Sequence, residues 1–379
     1  MFDYETLKII WWVLVGVLLI GFALTDGFDL GTVILLPFVG KTDSERRVVI
    51  NTIAPHWDGN QVWLVTAAGA LFAAWPVVYA ASFSGFYWAM LLVLFALFTR
   101  PVGFDYRSKI DNANWRTRWD WTLCVGSFVP SLVFGVAFGN LFLGVPFMLD
   151  ETMRISYTGN FFGLLNPFGI LAGLVSVAML TTHGATWLMM RTDEQIFDRS
   201  RAAAKFFSIA FLVTFIGAGL WLWVGIDGYT VASVIDFNGA IDPLGKVVER
   251  NNPGWLANYS TYPIMILGPI IGIAGGVLAL LGATSSRSAV AFLGSSLAIT
   301  GAICTAGFAL FPFLMPSSID PASSLTMWDA VSSHKTLGIM FIAAAIFVPI
   351  ILAYTLWSYI KMWGIVKVSD IEDNPHGLY

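Results

Sequence analysis

Charge is what this chain has least of: only 12% of its 379 residues are Asp, Glu, Lys or Arg, against 57% hydrophobic, with 30 Phe and 16 Trp. A soluble domain carries about a quarter charged residues and few apolar runs of some 20, so this is a polytopic membrane protein with no room for a large aqueous domain. Cysteine is nearly absent. Cys124 and Cys304 lie far apart in apolar runs without CxxC or Cys/His spacing, which makes them small buried hydrophobes and gives no metal site. Histidine is scarce too: His56, His183, His334 and His376 form no i,i+3 or i,i+4 pair with each other or with Cys, so each reads as a loop or interfacial residue. The acidic start Met1-Phe2-Asp3-Tyr4-Glu5 precedes an apolar run without a small-residue cleavage signature, which excludes a secretory signal peptide. A net charge of −4 points to no nucleic-acid partner.

What is present is apolar length. Hydrophobic windows place spans near residues 9–37, 52–75, 79–100, 122–143, 165–189, 205–226, 261–282, 290–311 and 336–360, about nine transmembrane helices in a single integral membrane domain over 1–379. Pro76 sets a sharp turn after Trp75. Lys41, Arg46 and Arg47, then Arg107, Lys109, Arg116 and Arg118, then Arg191, Arg199, Arg201 and Lys205, then Arg287, fall in loops on one face. The positive-inside rule makes that face cytoplasmic, so the amino terminus is expected outside and the carboxyl terminus inside. Small-residue pairs, Gly27 with Gly31, Gly135 with Gly139 and Gly268 with Gly272, allow helix backbones to approach closely.

Function is read from the polar groups that the membrane tolerates. Eleven Leu, Ile, Val and Phe residues between Ile9 and Leu24 contribute roughly −3 to −7 kcal/mol of insertion energy, and Asp26 and Asp29 cost roughly 5 to 7 if lipid-exposed. Insertion then barely breaks even. The two acids, spaced i,i+3, share a helix face that must look into protein or water, either as a functional pair or as a structural ion pair or polar cap. Arg100, before a Pro101 that is expected to end its helix, is either a snorkelling anchor or a partner for a carboxylate such as Asp29. Asp58 and Gln61 share a face in His56-Trp57-Asp58-Gly59-Asn60-Gln61-Val62-Trp63, where Asp58 is either a proton-passing carboxylate or the N-terminal cap of its helix. Aromatic and hydroxyl-rich turns around Phe311-Pro312-Phe313 and Ser323 to Asp329 serve as interfacial anchors or border a lipid or quinone pocket.

Five motifs in order, Thr25-Asp26-Gly27-Phe28-Asp29-Leu30-Gly31, the His56 to Trp63 run, Arg100-Pro101-Val102-Gly103-Phe104-Asp105-Tyr106-Arg107, Gly225-Ile226-Asp227-Gly228-Tyr229 and Phe311-Pro312-Phe313, closely resemble subunit II of cytochrome bd-type quinol oxidases. The resemblance implies two four-helix bundles plus a peripheral helix, paired with subunit I and possible small single-helix accessory subunits in the inner membrane of a bacterium. It implies an electrogenic, non-pumping complex that oxidises quinol and reduces oxygen to water, with haems b558, b595 and d held by subunit I. By the same resemblance Asp58, Asp105 and Tyr379 belong to a proton path from the cytoplasm. Asp26, Asp29 and Arg100 are expected to be structural or haem-stabilising, and Trp57 to border a structural quinone. The competing readings are a purely structural scaffold and a secondary transporter, which would show broken helices in an inverted repeat.

Overall fold

The structure, a computed structural model, describes residues 2–239, 241–252 and 254–373. Its helices are α1 (Tyr4–Val39), α2 (Asp43–Asn51), α3 (Trp57–Ala74), α4 (Pro76–Gly85), α5 (Tyr87–Leu97), α6 (Thr99–Tyr106), α7 (Ala113–Leu143), α8 (Pro167–Arg191), α9 (Glu194–Gly225), α10 (Ala257–Thr261), α11 (Leu267–Thr284), α12 (Ser288–Leu310), α13 (His334–Lys361) and α14 (Val368–Asp373). Polar residues start several of them. Asp3 caps α1, Thr42 and Glu45 form a reciprocal capping box on α2, Asn112 caps α7, Asn166 caps α8 ahead of Pro167, and Ser333 caps α13.

Eight helical segments among the described residues are long and apolar enough to cross a membrane. The ninth expected span is α3, which has 18 residues but spends its first turn on Asp58, Asn60 and Gln61. It lies alongside α1, with Trp63 against Gly21. The expected span at 79–100 is jointed at Phe86 and Phe98 into α4, α5 and α6. Pro101 does not end the helix: it is the third residue of α6, where its missing N–H is one that no helical carbonyl would have bonded. Arg116, Arg118, Arg199 and Arg201 lie in the first turns of α7 and α9, not in loops, because those helices run past the apolar windows.

The first bundle comprises α1, α3 with α4, α5 with α6, and α7; the second comprises α8, α9, α11 and α12. They join where α1 and α7 meet α8, the most buried span. Gly31 explains the closeness, since a Cβ there would collide with the Leu180 carbonyl and the Gly184 amide of α8. Outside both bundles runs α13, with Ile346, Phe347, Ile350, Leu356 and Trp357 exposed, a surface suited to lipid. Three small antiparallel pairs close the end opposite the basic loops: β1 (Phe147–Leu149) with β2 (Ile155–Tyr157), β3 (Gly228–Val231) with β4 (Val248–Asn251), and β5 (Phe313–Met315) with β6 (Leu325–Thr326). There Lys246 reaches Asp329 at 3.1 Å, and Lys8 donates to the carbonyls of Phe237 and Trp328 at 2.8 and 2.9 Å. Burial pushes the Asp329 carboxyl up and the Lys246 amine down, each opposed by the other's charge.

Candidate functional site

Asp26 and Asp29 are both fully buried one turn apart on α1. The glycines of this stretch turn toward α8, and the acids meet α6 and α3. Arg100 of α6 donates from Nη1 and Nη2 to Asp26 Oδ1 at 2.7 and 2.5 Å, with its own side chain fully buried. So Arg100 turns inward, but its partner is Asp26 and not Asp29. The reason is position: Asn60, on the first turn of α3, already occupies Asp29, donating from Nδ2 to Oδ2 at 2.8 Å.

The network continues into the peripheral helix. The Tyr359 hydroxyl donates to Asn60 Oδ1 at 2.7 Å, and the ring of His56 stacks on Tyr359 with centroids 4.2 Å apart. The Arg191 guanidinium lies against the indoles of both Trp187 and Trp363, 5.4 and 5.2 Å from their centroids, and donates from Nη2 to the Met362 carbonyl. These contacts fasten one end of α13, whose middle has few. Trp57 packs its indole edge-on against Phe104, and the Arg100 guanidinium sits 5.9 Å from its centroid.

Asp58 stands on the other side of the same turn. It is exposed, and its side chain has no hydrogen bond or ion pair among the described residues. It is not the cap of α3: His56 holds that position, without a side-chain bond, and Asp58 is the second helical residue. Asp105 on α6 is likewise exposed and without a side-chain partner. Val62 and Val65 on α3, Trp88 and Phe95 on α5 and Val102 and Tyr106 on α6 are exposed too, so the helices around the two acids present much apolar surface. Tyr379, the third expected member of a proton path, lies outside the described residues, as does His376.

Just past Asp105 the end of α6 is bolted down. Arg107 donates from Nε to Asp120 Oδ1 at 2.6 Å and from Nη2 to Asp43 Oδ1 at 2.8 Å, and Arg46 adds a bond to Asp120 Oδ2 at 2.8 Å. Burial works against the Arg107 charge, but Asp120 and Asp43 outweigh it and hold the guanidinium above its ordinary value.

His183 corrects the sequence reading. It lies inside α8, fully buried, with Nδ1 against Ser295 Oγ at 2.8 Å, Nε2 against the Leu24 carbonyl at 3.0 Å and its ring stacked on Phe292. A polar side chain between bundles is stable there because both nitrogens are satisfied. His56 does lie in the turn before α3, where it is buried under Tyr359. Among the described residues no three His, Cys, Asp or Glu converge as a metal site. Sequence reasoning missed Asn60 as a bridge, together with Tyr359, Arg191 and Asp120. Only Asn60 carried a signal, as an amide directly opposite two buried acids.

Comparison with known proteins is consistent from end to end. The profile of the family described as cytochrome bd terminal oxidase subunit II matches residues 7–362. The chain is 58% identical over 379 residues, all of both chains, to cytochrome bd-I ubiquinol oxidase subunit 2 of Escherichia coli (strain K12). It is 33% identical to cytochrome bd ubiquinol oxidase subunit 2 of Bacillus subtilis (strain 168) over 352 residues, 92% of this chain and 94% of that one. In fold it matches a chain of the bd oxidase structure from Geobacillus thermodenitrificans with a TM-score of 0.66, at 14% identity, over 94% of this chain and 98% of that one.

Proposed function

The chain belongs to the cytochrome bd terminal oxidase subunit II family, and from that premise we propose that it is the subunit of a respiratory quinol:oxygen oxidoreductase that ligates no haem, braces subunit I and lines a proton uptake path. The observation that carries the path is Asp58, an exposed carboxylate without a partner among the described residues, at the start of a helix that also exposes Val62 and Val65. A charge is costly at membrane depth, so the side chain must be met by water or by a second polypeptide. Subunit I covers this face and encloses Asp58 and Asp105 in a hydrated seam.

In this reading the basic loops face the cytoplasm, the amino terminus lies outside and the carboxyl terminus inside. Asp105 takes protons near the basic end, held in place by the anchoring of Arg107 two residues on, and Asp58 passes them along the seam. Protons drawn from the cytoplasm, together with quinol protons released outside, make the reaction electrogenic without a pumping step. Haems b558, b595 and d sit in subunit I and supply the oxygen chemistry. His183 has both ring nitrogens engaged, which suits a chain that ligates no iron. Small single-helix accessory subunits complete the assembly.

The structural quinone expected at Trp57 would rest on two features of this chain. The indole offers a packing surface, and Arg100 Nε is a buried donor without a partner among the described residues, which a quinone carbonyl would satisfy. A bound quinone would supply a redox-active ring, and no proton step needs it.

The test is Asp58→Asn in the assembled oxidase. With haem spectra intact, turnover and generated voltage are expected to fall together; unchanged turnover would leave only the scaffold role.

A further inference from the structure

The cluster around Asp29 does not balance its charge. Asp26, Asp29 and Arg100 are all fully buried, so two carboxylates share one guanidinium. The polar groups of the neighbouring elements are Asn60 from α3, His56 just before it, Tyr359 from α13 and His183 from α8 with both nitrogens engaged, while the Arg191 guanidinium of α8 lies against Trp187 and Trp363 and forms no ion pair with either acid. None supplies a second cation to Asp29, which forms no ion pair among the described residues.

Hydrogen bonding shows the same deficit. Arg100 saturates Asp26 Oδ1 and Asn60 takes Asp29 Oδ2, while Asp26 Oδ2 and Asp29 Oδ1 are buried without a partner among the described residues. Both atoms are acceptors when ionised, and a single proton converts one of them into a donor. One added proton also brings the cluster, two acids and one guanidinium, to zero net charge. We propose that this buried cluster is a proton-binding site, which holds one proton on the unpartnered oxygens of Asp26 and Asp29. Asn60 and Tyr359 orient it from the peripheral-helix side. The site lies across the first turn of α3 from Asp58 and does not depend on Asp58 acting as a relay.

Infrared spectroscopy of the assembled oxidase, in ordinary and heavy water, reads the site directly. The wild type is expected to show the carbonyl stretch of a protonated carboxylic acid, lost in Asp29→Asn and retained in Asp58→Asn and Asp105→Asn. Absence of the band, its survival in an assembled Asp29→Asn complex, or its loss in Asp58→Asn would overturn the proposal. If Asp29→Asn does not assemble, Tyr359→Phe decides: removing the hydroxyl that holds Asn60 must shift the band, and an unshifted band overturns the assignment.

Discussion

The first turn of α3 has two sides, and the molecule treats acids on them in opposite ways. Inward, Asn60 faces Asp29 beside the Asp26–Arg100 pair, and all four side chains are buried, with an ion pair and an amide bond made inside the chain. Outward, Asp58 is exposed and has no partner among the described residues. The contrast teaches that burial alone does not mark a proton route. On the proposed reading, the acid paired with Arg100 inside the chain holds helices together, and the exposed acid without a partner among the described residues is the one that awaits a seam.

Breaking the inner side has the largest expected effect. Arg100→Ala leaves two buried carboxylates without a cation, a loss of about 3–5 kcal/mol when one partner of a buried pair is removed. The yield of haem-loaded oxidase after purification is expected to collapse, and normal yield would mean that the pair is dispensable. On the outer side, Asp58→Asn is expected to leave yield and haem bands intact while turnover drops roughly a hundredfold, the low end of what a placed proton-transfer group contributes. Oxygen consumption per haem measures this, and equal losses of haem and turnover would erase the distinction between the two sides.

Asn60→Ala sharpens the comparison because it removes two hydrogen bonds, to Asp29 and Tyr359, at about 1 kcal/mol each. Thermal denaturation of the complex is expected at a lower temperature, with α13 more open to protease near Trp363. The smallest effect is far from both sides. Burial alone would raise Glu45, but bonds from Arg199 and the Lys41 and Thr42 amides outweigh it and hold the carboxyl below its usual value. A depressed folded value stabilises above the unfolded one and is lost as pH falls through the folded one. The wild type is therefore expected to lose a little more stability than Glu45→Gln below about pH 4, and parallel acid titrations of the two would refute that.

The helices and their approximate spans were legible because apolar length records membrane crossing directly, whereas the two-bundle plan came only from the family resemblance. Motif residues Asp26, Asp29, Arg100 and Asp58 were legible for the same reason: each is conspicuous against lipid. Pairing was not. Asp26 and Asp29 lie three residues apart, and the packing of α6 and α3 on α1, with Asn60 taking Asp29, decides which of them meets Arg100. Tyr359 looks like an interfacial aromatic in an apolar run, and nothing local tells that it reaches Asn60, 299 positions away. His183 misled for the converse reason, since its partners Ser295 and Leu24 lie on other helices.

The most direct measurement is a density map of the assembled oxidase at a resolution that shows water. The account predicts subunit I lying over Asp58 and Asp105 with ordered water between them, and no water file reaching Asp26 and Asp29. Lipid tails against Asp58, or a continuous water chain entering through Asp29, would contradict it.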